Sequence, residues 1–82
     1  MGTTARKRAD LYFMAIWLMR KGNKKEALDY LILSGELGCL IALRTLEAAY
    51  NNCFEAWGVH HSRELCTHYR EMAKEIERSL LE

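Results

Sequence analysis

Residues 27–50 read ALDYLILSGELGCLIALRTLEAAY. Ala27, Tyr30 and Ser34 precede Gly38; Ala42, Leu46 and Tyr50 follow it. Steps of three and four residues place each set on one face of a helix. Gly38 ends the first of these helices, because glycine enters the left-handed region without a steric penalty. The pattern predicts one helix from about Lys24 to Leu37 and a second from about Leu40 to Asn52. A connection this short makes the two an antiparallel hairpin.

Working outward, the same reading predicts a helix on either side. The first runs from Thr4 to Lys21, capped by Thr3 or Thr4 and closed by Gly22 and Asn23. The last starts after Ser62, a good N-cap, and continues to the C-terminus. Its Glu71–Lys74 and Lys74–Arg78 spacings suit a solvated face. A loop through EAWGVHH precedes it. Strand-like alternation is missing and proline is absent, so the fold class is all-α, with four helices in a single domain over residues 1–82. A chain of 82 residues has a small core, and such domains lean on oligomerisation or a partner.

The chain also repeats itself. Ala9, Phe13 and Trp17 match Ala42, Leu46 and Tyr50 at an offset of 33. Ala27, Tyr30 and Ser34 match Cys66, Tyr69 and Ala73 at an offset of 39. Small residues admit close helix approach, and the aromatic one turn away fills the space beside them. Ala42, Leu46, Tyr50, Gly58, Val59, Ser62, Cys66, Tyr69 and Ala73 together resemble the Sel-one-like repeats, relatives of the tetratricopeptide repeats. Ala27, Tyr30, Ser34 and Gly38 supply the preceding unit. The resemblance implies two helix–turn–helix repeats and a non-enzymatic scaffold that binds proteins. Two departures stand out. Glu47 occupies the position of a family glycine, which puts close helix crossing there in doubt. Ser62 replaces an aspartate, and both cap helices.

Composition excludes some classes. Cys39, Cys53 and Cys66 form no CxxC pair, which suits reduced thiols in a cytoplasmic protein. Leu11 to Met19 is an apolar run too short to span a bilayer, so the segment reads as a folded helix and no membrane role is expected. Charge is uneven. Residues 1–25 carry seven basic residues against Asp10 alone, a net of +6, whereas residues 26–82 carry five basic and ten acidic residues, a net of −5. Such asymmetry supports an acidic partner, nucleic acid or head-to-tail self-association.

The stretch GVHHSRELCTHYREMA concentrates His60, His61, Cys66 and His68. Structural zinc needs four converging ligands. Cys66 falls on an inward repeat position, and His68 lies about 200° round the helix from it. No metal, cofactor or catalytic residue is therefore expected. Phosphate loops and nucleophile elbows are also missing.

The function expected is binding of another protein without catalysis, as a small inhibitor, immunity or anti-defence factor. The alternative is a nucleic-acid-binding homodimer that uses the basic N-terminal third. Phe54, Trp57, His60 and His61 are the expected partner-binding residues, because loops carry recognition and tryptophan is favoured at hot spots; the equal alternative is that Phe54 and Trp57 fold back onto the last helix and close the open end of the core. The first helix is apolar all round. In the repeat register, Ala9, Phe13, Ile16 and Trp17 face inward, which leaves Leu11, Met14, Ala15 and Leu18 as an outer stripe. That stripe is the expected homodimer interface.

Overall fold

Ser34 and Gly35 are adjacent on one turn of a central helix, and each is fully enclosed by a different neighbour. The computed structural model describes residues 2–52 and 54–81, with the side chains of residues 6–52 and 55–81. Among these residues the protein is all-α. Helix α1 spans Gly2–Arg20, α2 Lys24–Glu36, α3 Leu40–Asn51, α4 Phe54–Trp57 and α5 Arg63–Leu81. Helix α1 already includes Thr3 and Thr4, so its start lies ahead of the expected cap.

The first two connections share one geometry. Gly22 (φ 91°) and Gly38 (φ 96°) both adopt left-handed backbone. The next N–H reaches back five residues in each case: Asn23 donates to the Leu18 carbonyl at 2.9 Å, and Cys39 to the Ser34 carbonyl at 3.1 Å. This Schellman closure satisfies carbonyls that the helix end would otherwise orphan. At the start of α5, Ser62 Oγ accepts the Leu65 N–H at 3.2 Å, the expected N-cap.

Helix α1 runs antiparallel to α2, and α3 to α5; α2 against α3 is the principal contact between the two pairs. The Ser34 hydroxyl donates to the Arg8 carbonyl at 2.6 Å, tying α2 to α1. The Tyr50 and Tyr69 rings stack at 6.0 Å between α3 and α5. Leu31, Leu43 and Leu46 form the fully buried centre, with Ala27, Ala42, Ala49 and Ala73 packed round them. The inward positions expected on α2, α3 and α5 are buried, apart from a half-buried Tyr30. Close approach of α2 to α3 occurs at Gly35, where a Cβ would stand 2.9 Å from Leu43 Cδ2.

Two expectations are overturned. On α1, Ala15 (0 % exposed) and Leu18 (6 %) are core residues, whereas Phe13 (67 %) and Trp17 (52 %) face outward. The helix is apolar on every side, so periodicity could not choose between its faces, and Ala15 and Leu18 give the closer fit in a core otherwise lined by alanines. The second concerns the loop through EAWGVHH, which contains the one-turn helix α4 and turns Trp57 inward (5 % exposed). Helix α4 closes the end of the core formed by α2 and α3, and Lys24 Nζ donates to the Glu55 carbonyl at 2.9 Å. Trp57 is therefore a packing residue and not a free recognition side chain. The side chain of Phe54 lies outside the described residues.

The Cα envelope measures 36 × 27 × 12 Å, a slab with α1 along one edge. Its accessible surface is 5752 Å², above the roughly 5,100 Å² of a compact monomer of this mass. Replacing Trp57 by alanine is expected to lower unfolding free energy by about 3–5 kcal/mol. Urea denaturation followed by circular dichroism checks this, and an unchanged midpoint would show that the indole is not part of the core.

Candidate functional site

The outward face of α1 combines charge with aromatic surface. Arg6, Asp10, Phe13, Trp17 and Arg20 recur at intervals of three and four residues, so they share one side of the helix and are all exposed. Met14 (43 % exposed) lies beside them, and Leu11 is half-buried at the seam with α2. Phe13 is edge-on to Tyr12, with ring centroids 5.8 Å apart. Lys21 Nζ lies 4.3 Å from the Trp17 ring centroid, a cation–π contact that holds the indole while leaving its other face to solvent.

Shallow grooves run on both sides of the Phe13–Trp17 ridge. One, of about 350 Å³, lies between α1 and α2 and is lined by Arg6, Lys7, Asp10, Leu11, Met14 and Tyr30. Another, of about 600 Å³, is lined by Tyr12, Phe13, Ile16, Trp17, Met19 and Arg20. Between them Asp10, Phe13, Met14 and Trp17 enclose a third depression. The ridge is apolar at its middle and basic at its ends.

Of the expected interface residues, Met14 and part of Leu11 belong to this face. Ala15 and Leu18 do not, since the core covers them. Phe13 and Trp17 are the residues that the repeat register misassigned. The signal that marks them lay in the charges: Arg6, Asp10 and Arg20 fall on their side of the helix, and charged residues identify the solvated face.

The histidines take different places. His60 and His61 are exposed in the segment between α4 and α5. His61 lines a polar cleft of about 460 Å³ with Asn51, Arg63, Cys66, Thr67 and Arg70. Cys66 is nearly covered there, and its Sγ accepts an Arg70 N–H at 3.7 Å. His68 points elsewhere and meets the Tyr69 ring edge-on at 5.1 Å. Among the described residues no three His, Cys, Asp or Glu side chains converge as a metal ion would require. No helix of the described residues is long and apolar enough to cross a membrane.

An ion-pair cluster joins α3 to α5 beside the cleft. Glu47 accepts from Arg44 at 2.8 Å and, through its other oxygen, from Arg70 at 2.8 Å. Arg44 also pairs with Glu77. Glu47 therefore does not open a close crossing as a glycine would; it bridges two helices through charge-assisted hydrogen bonds. The Arg70 hydrogen bond, aided by that of Arg44, holds the Glu47 carboxyl below the ordinary glutamate range and outweighs its partial burial.

Comparison with known proteins adds no relative: no family model, curated protein or solved structure matches the chain.

Because the folded pKa of Glu47 is depressed, its contribution to stability is complete above the unfolded value of 4.5 and is lost as pH falls through the folded value. Thermal melts across that acid range are expected to show a steeper loss for the native protein than for Glu47→Gln. Parallel pH profiles would show that the cluster contributes nothing to stability.

Proposed function

We propose that this chain is a non-catalytic protein-binding module whose docking surface is the outer face of α1. One observation carries the reading: among the described residues, Phe13, Met14 and Trp17 stand exposed side by side on a helix whose principal packing partner is α2. Contiguous apolar surface of this kind marks an association site. Aromatic residues and methionine are enriched at interface centres, and tryptophan dominates hot spots. The flanking grooves suit a helix-in-groove mode, in which partner side chains at helical spacing drop on either side of the ridge.

The Sel-one-like resemblance is consistent with this role, and we retain it as part of the proposal. The shared closure at Gly22 and Gly38 and the buried Ala42, Leu46, Tyr50, Cys66, Tyr69 and Ala73 support a pair of helical hairpins. The outward Phe13 and Trp17 depart from the repeat register, and that departure creates the docking face. A small inhibitor or immunity factor would use such a face to occupy one target.

The test is a double substitution, Phe13→Glu with Trp17→Glu. Both side chains lie outside the core, so helicity should persist and stability should change by no more than about 0.5 kcal/mol. A partner cross-linked to the wild type in its source cell should be lost by this variant and kept by Lys74→Glu, which alters an exposed position on α5. Retention of the partner by the double variant would place the interface elsewhere. Tight, salt-sensitive binding to mixed oligonucleotides by both proteins would support the nucleic-acid alternative instead.

A further inference from the structure

We infer that the occupant of the α1 face is an amphipathic helix of another protein, one that carries acidic residues at both ends of its apolar stripe. This rests on the reading of α1 as a docking face and adds the chemistry of the partner. Arg6 and Lys7 are exposed at one end of the face, and Arg20 and Lys21 at the other. At 1.5 Å per residue, Arg6 and Arg20 stand about 21 Å apart, roughly four helical turns. On α3 and α5 three arginines are paired, Arg44 and Arg70 with Glu47 and Arg78 with Glu75, while Arg63 forms no ion pair among the described residues. No ion pair forms at Arg6, Lys7, Arg20 or Lys21 among the described residues. An apolar centre between two open basic ends is complemented by a helix with carboxylates at its ends.

A second copy is a poor match. The face carries four basic residues and Asp10, a net of +3. Two-fold packing of α1 on α1 sets +3 against +3 whichever way the helices run, because both ends are basic. The outer side of α2 offers Glu26, Asp29 and Glu36 but one exposed apolar residue, Leu33. One leucine does not fill grooves on both sides of Phe13 and Trp17, and the exposed Leu80 and Leu81 of α5 are confined to that helix's last turn. An anionic membrane would meet the charges, yet Asp10 borders the apolar residues at their Arg6 end and the ridge is flanked by concavities that a flat surface leaves unfilled. A bilayer would have to desolvate that carboxylate without a partner; a protein side chain can donate to it.

The probes are two synthetic amphipathic peptides with the same leucine and phenylalanine stripe and one central lysine. One carries glutamates in its terminal turns, the other lysines. Fluorescence anisotropy of each labelled peptide is read against the full chain. The glutamate-ended peptide should bind at least about tenfold more tightly, and high salt should narrow the difference. Lys7→Glu with Arg20→Glu, both at exposed positions, should reverse the order. Equal affinities, unmoved by that charge reversal, would overturn the acidic partner; if Phe13→Glu with Trp17→Glu then abolishes binding of both peptides, the docking face survives alone. Binding of neither peptide overturns the inference, as does binding only to phosphatidylserine vesicles. So does self-association of the wild type that occupies the face.

Discussion

Helix α2 is held from both sides through two adjacent residues. Ser34 gives its hydroxyl proton to the Arg8 carbonyl of α1. Gly35 lets Leu43 of α3 come so near that a Cβ would stand 2.9 Å from its Cδ2 and displace it, with Leu46 Cδ1 tight at 3.3 Å. The small residue and the hydroxyl do opposite jobs on one helical turn: one admits dispersion contact, the other satisfies a polar group that burial would penalise. If this crossing loosened, the α1–α2 and α3–α5 pairs would lose their principal contact, and the remaining ties through Lys24 and Glu55 lie at its far end.

Because α2 is enclosed between its neighbours, α1 is left at the edge of a 12 Å slab. An edge helix normally turns a polar side outward. This one is apolar all round, so whichever side faced the core, an apolar side would remain. Ala15 and Leu18 face the core, and Phe13 and Trp17 remain outside. The same economy is not seen at α5, where Cys66, Tyr69 and Ala73 face in while the exposed side mixes Glu64, Glu71, Lys74 and Arg78. The exposed apolar residues of α5 are Leu65 near its start and Leu80 and Leu81 in its last turn, whereas Phe13, Met14 and Trp17 of α1 stand together.

Much of the fold was legible in the residues. Gly22, Gly38 and Ser62 mark helix ends because each has a local mechanism that does not depend on tertiary context. The inward faces of α3 and α5 were legible because polar residues occupy their other sides. The orientation of α1 was not, since Leu11 to Met19 is apolar on every side and only the distant Arg6, Asp10 and Arg20 distinguish one. A single turn such as α4 is too short for periodicity to reveal, so Trp57 read equally well as loop or core. The bridging role of Glu47 was hidden as well: its partners Arg70 and, through Arg44, Glu77 are far along the chain. The candidate face was half visible: Met14 was expected on the outer side and is exposed, Leu11 is half-buried at its seam, and Phe13 and Trp17 were assigned inward.

The orientation of α1 is the claim on which the functional account stands, and the two tryptophans report it separately. In a Trp57→Phe protein only Trp17 emits; in Trp17→Phe only Trp57 does. Acrylamide quenching of the isolated native protein should be efficient for Trp17 and weak for Trp57, in keeping with their exposures of 52 % and 5 %. A Trp17 as protected as Trp57, in a protein shown by sedimentation to be monomeric, would mean that α1 turns this face into the core, and the docking surface described would not exist.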